Sequence, residues 1–246
     1  MPYLMGGFPD LETSERIGLA CQEAGADLLE VGVPFSDPLA DGPVIHAAGT
    51  RALEAGATPA EVLDVAGELA ARSPVVLMCY ANVILAAGAE RFATSLADDG
   101  IAGLIVPDLP LEEADAIRGA CDREGVALVP LVAPTTPDER MAAISADARG
   151  FVYAVAVTGT TGERASLAES FADLVARART HTELPVAVGF GIASPEQAAQ
   201  AAAAGADGVI VGSRLVRAAG EAHDAGEDPV AAVGGLVADF AAALSG

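Results

Sequence analysis

Apolar residues recur along the chain in eight short runs, "PYLMG", "DLLEVG", "VVLMCY", "GLIVPD", "ALVPLV", "FVYAVAV", "PVAVGFG" and "GVIVGS", separated by longer amphipathic stretches. Near-continuous hydrophobicity suits strands covered on both faces, and the intervening helical stretches supply the crossovers that parallel strands require. Two helix starts are legible. "TPAE" at Thr58 to Glu61 and "SPEQ" at Ser194 to Gln197 each place a hydroxyl N-cap before a proline, with an acid or amide at the third helical position. Eight strands alternating with helices predict an α/β fold, a single (β/α)8 TIM barrel spanning residues 1–246 as one domain. An open doubly wound sheet is the less natural alternative, because no G-x-G-x-x-G follows the first strand. No Pro-, Ser- or charge-rich linker divides the chain.

Three segments share one pattern: "GADLLEVG" from Gly25, "GIAGLIVP" from Gly100 and "GADGVIVG" from Gly205. Each ends a helix with glycine and enters a strand, so a common register points Glu30, Ile105 and Ile210 the same way. Glu30 therefore stands where the other two segments carry a core aliphatic.

The length of 246 residues lies near the roughly 250 typical of such a barrel. With 13 Lys+Arg against 35 Asp+Glu, the formal charge of -22 repels nucleic acid and anionic membrane over most of the surface, so an anionic substrate needs a local positive site. The opening "MPYLMGGFPD" lacks a basic segment followed by an apolar one, and no apolar run reaches the roughly 18 residues of a membrane span. A soluble, cytoplasmic chain is expected. Cys21, Cys79 and Cys121 are odd in number and widely spaced, which suits packing rather than a disulfide framework or thiolate metal site.

A carboxylate aimed into an apolar barrel mouth loses hydration, which raises its pKa toward the range useful for proton transfer. Glu30 is such a candidate; a buried acid satisfied by a neighbouring hydroxyl or N–H is the plainer alternative. The following "VPFSDPLADGP" adds Asp37 and Asp41, held by Pro34, Pro38 and Pro43. Both also fit ordinary turn chemistry, and Asp41 fits as the cap of a helix beginning near Gly42. Only His46 accompanies these acids and their spacing does not match a calcium loop, so no metal is expected. The turns "VTGTTGERAS", "GFGIAS" and "VGSRLV" offer backbone N–H groups, notably at a helix start after Gly212 and Ser213, that suit a phosphate.

The stretch "LLEVGVPFSDPLADGP" closely resembles the signature of the tryptophan synthase alpha subunit family, and the likeness extends through "LMCYAN", "VPDLP", "FVYAVAVTGTTG", "GFGIASPEQ" and "GVIVGS", nearly the whole chain. The resemblance implies retro-aldol cleavage of indole-3-glycerol phosphate to indole and glyceraldehyde 3-phosphate, with no cofactor in this subunit. It implies Glu30 as the acid/base residue and Asp41 as the second catalytic acid. Tyr3, Tyr80 and Tyr153 match pocket positions, Gly162, Gly191, Gly212 and Ser213 match the phosphate site, and Asp37 and Thr161 match a pair that hydrogen-bonds when the site closes. The implied partner is a pyridoxal-phosphate-dependent beta subunit in an alpha2beta2 heterotetramer, with Asp108, Pro110 and Asn82 matching interface positions. One departure is that family members usually carry a helix before the first strand, whereas this chain enters "PYLMG" almost at Met1. Competing expectations are another phosphate-binding barrel, a self-sufficient indole-releasing lyase, and a non-catalytic scaffold that activates the beta subunit.

Overall fold

Nine strand segments follow one another in the computed structural model: β1 (Tyr3–Met5), β2 (Leu29–Gly32), β3 (Val75–Met78), β4 (Gly103–Ile105), β5 (Ala127–Val129), β6 (Leu131–Val132), β7 (Val152–Val155), β8 (Val186–Gly189) and β9 (Gly208–Val209). The structure describes residues 1–155, 164–189 and 191–245, with the backbone alone for 164–170. Strands β1 to β5 pair in parallel in sequence order, as do β6 to β9. Pro130 separates β5 from β6, but its carbonyl accepts the Tyr153 N–H at 2.9 Å, so the two segments form one stave between β4 and β7. The ring closes where Pro2 bridges Val211: the Tyr3 N–H donates to the Val211 carbonyl at 2.9 Å and the Val211 N–H to Met1 at 3.0 Å. Eight staves make a closed parallel barrel, as the eight apolar runs predict.

The helices are α1 (Leu11–Glu23), α2 (Pro43–Glu54), α3 (Pro59–Ala70), α4 (Ala81–Ala87), α5 (Ala89–Asp98), α6 (Asp115–Glu124), α7 (Asp138–Ala146), α8 (Arg164–Arg179), α9 (Pro195–Ala203), α10 (Ser213–Ala225) and α11 (Pro229–Leu244). Alternation along each strand sorts side chains into two apolar layers. Residues such as Leu29, Val31, Leu77 and Leu104 pack outward with Leu69 and Leu96 of the helices. Val76, Ile105, Val129, Phe151, Tyr153, Ala187 and Ile210 fill the barrel interior.

Both predicted helix starts form. The Glu61 N–H donates to Thr58 Oγ1 at 3.3 Å while the Thr58 N–H donates to Glu61 Oε2 at 3.0 Å, a complete capping box. Ser194 Oγ accepts the Gln197 N–H at 3.4 Å, and Gln197 Oε1 accepts the Ala193 N–H at 2.8 Å. Gly25, Gly100 and Gly205 all have positive φ, of 99°, 70° and 97°, so the three similar segments enter their strands through the same left-handed turn. Their shared register places Ile105 and Ile210 inside the barrel, and Glu30 with them.

Candidate active site

In the β1–β2 ladder Tyr3 lies opposite Glu30 and Met5 opposite Gly32. The Tyr3 ring leans along β2 over Gly32, where a Cβ would fall 2.1 Å from its hydroxyl oxygen, so only glycine leaves the ring its place. The same device recurs across the barrel: a Cβ on Gly189 would lie 2.5 Å from both Cε2 and the hydroxyl oxygen of Tyr153. Sequence reasoning missed both glycines, because the clash appears only once the strands are in register.

These strands and the loops beyond them enclose a cavity of about 350 Å³ at the C-terminal mouth of the barrel. Tyr3, Glu30, Met78 and Tyr153 reach it from the strands, Ile210 from just past β9, and Asp41, Gly42, Pro43 and Ile45 from the approach to α2 and its first turn. Gly191, Ile192 and Ala193 contribute from the turn after β8, and Gly212, Ser213, Arg214 and Arg217 from the turn after β9 and the start of α10. The mouth is where parallel barrels assemble chemistry from their loops.

Glu30 is 1% exposed, and its Oε2 has no hydrogen-bond partner among the described residues. Burial pushes its carboxyl from 4.5 up to about 8; the Met1 ammonium opposes this rise and Asp41 adds to it. The alternative of an acid satisfied by its surroundings therefore fails for that oxygen. Asp41 is held differently. Helix α2 begins at Pro43 with Gly42 as N-cap and no side-chain cap bond, so Asp41 does not serve as the cap that its position before Gly42 suggests. Its N–H donates to the Pro38 carbonyl at 3.2 Å, and its carboxyl lines the cavity. Burial raises the Asp41 pKa, while the Tyr80 hydroxyl and His46 both oppose the rise. The two acids thus meet different surroundings: a dry one for Glu30 and a partly hydrogen-bonded one for Asp41.

Tyr80 is buried but is not among the cavity-lining residues. It anchors the loop that carries Asp41: its hydroxyl accepts the Ala40 N–H at 3.1 Å, and its ring stacks on Phe35 with centroids 5.2 Å apart. Asp37 is exposed, accepts a hydrogen bond from the Ser36 hydroxyl at 2.5 Å, and does not line the cavity. Thr161 and Gly162 lie outside the described residues. Asp108 accepts the Ala81 N–H at 2.9 Å, tying "VPDLP" to the first turn of α4.

The basic residues locate a positive site that the overall charge conceals. All 13 are arginine, and eight of them, Arg51, Arg72, Arg118, Arg123, Arg140, Arg149, Arg177 and Arg179, form ion pairs with carboxylates. Arg214 and Arg217, one turn apart on α10, have no carboxylate partner among the described residues and line the cavity beside Gly212 and Ser213. Their signal was present in "VGSRLVR", as two cations at helical i,i+3 spacing just past the phosphate-type turn. No cluster of three or more metal-ligating side chains occurs among the described residues, and no described helix is long and apolar enough to cross a membrane.

The family model described as Tryptophan synthase alpha chain matches residues 1–245. The chain belongs to that family. The tryptophan synthase alpha chain of Prochlorococcus marinus (strain MIT 9313) is 52% identical over 221 residues, covering 88% of this chain and 80% of that protein. The crystal structure of tryptophan synthase subunit alpha from Legionella pneumophila superposes with a TM-score of 0.91 at 36% identity, covering 99% of this chain and 91% of that one. A chain of the tryptophan synthase complex from Pyrococcus furiosus superposes with a TM-score of 0.87 at 35% identity, covering 97% and 95%. These solved tryptophan synthase chains share the (β/α)8 architecture described above. Of the residues expected to form the site, Glu30, Asp41, Tyr3, Tyr153, Gly191, Gly212 and Ser213 meet at one cavity, Tyr80 supports it from behind, and Asp37 stands outside.

Proposed function

We propose that Glu30 and Asp41 carry the reaction that this family performs, in one barrel domain spanning residues 1–246. As a tryptophan synthase alpha chain, the protein is a carbon–carbon lyase that cleaves indole-3-glycerol phosphate to indole and glyceraldehyde 3-phosphate, in the last steps of tryptophan biosynthesis. The observation that carries the residue assignment is Glu30, fully buried in the barrel mouth with a carboxyl pushed up to about 8, sharing a cavity with a second acid. A carboxyl with that value is protonated at neutral pH and serves as a proton donor.

The neutral Glu30 donates its proton to the indole ring carbon bearing the glycerol chain, and the ring nitrogen takes up the positive charge. Asp41, ionised, accepts the ring N–H and stabilises that charge. The carbon–carbon bond then breaks, its electron pair restoring the aromatic ring. The hydroxyl on the departing carbon returns a proton to the Glu30 carboxylate as the aldehyde forms. Glu30 ends the cycle neutral, as it began. Gly191, Gly212, Ser213 and Gly162 bind the phosphate through backbone N–H groups, with Arg214 and Arg217 supplying the local positive charge. Tyr3 and Tyr153 wall the pocket, and Asp37 with Thr161 closes it once substrate is bound, excluding water from the reactive ring.

These proton transfers need no cofactor from this subunit; pyridoxal phosphate belongs with the beta subunit, to which indole passes within a cytoplasmic alpha2beta2 heterotetramer. The test is indole release from indole-3-glycerol phosphate by the purified chain, with and without a matched beta subunit. Slow release that the beta subunit accelerates is the expected result. Fast release by the chain alone would favour a self-sufficient lyase, and no release under either condition would remove the catalytic assignment.

A further inference from the structure

Tyr3 is 4% exposed, and its hydroxyl has no hydrogen-bond partner among the described residues. Buried phenols ordinarily find one, because a dry, unpaired O–H costs free energy that an apolar ring of the same shape does not. Phenylalanine would fill the same space. Unpaired among the described residues, the hydroxyl is thus a liability, and the cavity that Tyr3 lines offers room for a partner.

The position of the ring says what that partner is. At its base, a Cβ on Gly212 would lie 3.4 Å from the Tyr3 Cβ; at its tip, a Cβ on Gly32 would lie 2.1 Å from the hydroxyl oxygen. Gly212 belongs to the turn assigned to the phosphate, and Gly32 follows Glu30 on β2 by two residues. The side chain therefore runs from the phosphate end of the cavity toward the carboxylates, alongside the carbon chain that joins phosphate to ring in the proposed substrate. A second orphaned polar atom, Glu30 Oε2, lies on the residue paired with Tyr3 across the ladder. A phenolic O–H needs an acceptor. The ring N–H is itself a donor and goes to Asp41, while the phosphate oxygens have N–H groups and arginines of their own. Among the polar groups of the proposed substrate, the hydroxyl oxygens of the glycerol chain remain.

We propose that the Tyr3 hydroxyl donates a hydrogen bond to the substrate hydroxyl beside the scissile bond, an assignment that rests on the reaction proposed above. That oxygen loses its proton to Glu30 during cleavage, so a donor aimed at it stabilises the negative charge developing there and distinguishes a hydroxylated chain from a plain alkyl one.

Tyr3→Phe keeps the ring and removes only the donor. Two ligands separate a hydrogen bond from a change in fit: indole-3-glycerol phosphate, followed by kcat/KM, and indole-3-propyl phosphate, which lacks both chain hydroxyls, followed by Kd. The expected result is a roughly tenfold fall in kcat/KM for the first, with an unchanged or tighter Kd for the second and a melting temperature no lower than that of the parent. An equal loss on both ligands assigns Tyr3 to shape alone and overturns the proposal, as does an unchanged kcat/KM. Failure of the reaction itself shows separately, as absence of indole release by the unsubstituted chain with its beta subunit, and overturns both readings.

Discussion

Displacing the Glu30 carboxyl from 4.5 to about 8 ties a functional feature to a cost in stability. Below about pH 4.5 the group is neutral in both folded and unfolded chains, and its burial carries no ionic cost. Between 4.5 and 8 the unfolded chain releases the proton while the folded chain keeps it, so the folded state binds more protons and stability falls as pH rises. Above 8 the folded chain must hold a carboxylate that has no partner at Oε2 among the described residues. The full effect is on the order of a few kcal/mol, at about 1.4 kcal/mol per unit of displacement. Glu30→Gln keeps the shape and cannot ionise. Its stability advantage over the parent, measured by denaturant unfolding, is therefore expected to grow steadily from pH 5 to pH 8 and then level off, while indole release is lost throughout. A stability difference that stays flat across this range would show that Glu30 titrates normally and deny it the role of proton donor. On the activity side, the parent's kcat/KM should fall as pH rises through about 8 and Glu30 loses its proton.

Helix α3 shows how local sequence sets an element without touching the site. Its capping box satisfies two backbone N–H groups that otherwise lack partners, and neither Thr58 nor Glu61 lines the cavity. Thr58→Ala is expected to lower unfolding free energy by about 1 kcal/mol, read in urea, with kcat/KM unchanged; a parallel loss of activity would mean that α3 positions the mouth. Such elements were legible because their signals are local. The eight staves were equally plain, since strands buried on both faces must be apolar throughout. Pro130 cutting one stave into β5 and β6 was not, nor was the doubling of helices as α4 with α5, because periodicity alone does not mark where one helix stops and another begins. In the site, Glu30 was conspicuous as an acid in phase with Ile105 and Ile210. The seat of Tyr3 on Gly32 was hidden, since it depends on a cross-strand register. Tyr80, matched by resemblance to a pocket position, also underpins the loop bearing Asp41, a contact between elements far apart in sequence.

At the scale of the whole molecule, the surface is acidic and its arginines are largely consumed in ion pairs, which leaves apolar exposure as the conspicuous exception. Leu39 is 92% exposed and Leu85 61%. Leu39 sits in the loop that carries Asp41, and Leu85 follows the exposed Asn82 by one turn on α4, whose first turn Asp108 holds in place. Asn82 and Asp108 are among the positions that family resemblance assigns to the beta-subunit interface, so Leu39 and Leu85 are expected to meet the partner there. Burying two leucines on association contributes about 25 cal/mol per Å² removed from water, whereas exposed in the free chain they contribute little to folding. Leu85→Asp should accordingly leave unfolding free energy within about 0.5 kcal/mol of the parent, and leave indole release by the isolated chain unchanged. Titration of the beta subunit against that activity should then require at least about fivefold more partner for half-maximal acceleration, the equivalent of about 1 kcal/mol lost from the interface. An unaltered midpoint would place the partner on another face of the barrel, whereas a shifted midpoint with intact basal release would separate docking from chemistry and put the indole-producing cavity beside its consumer.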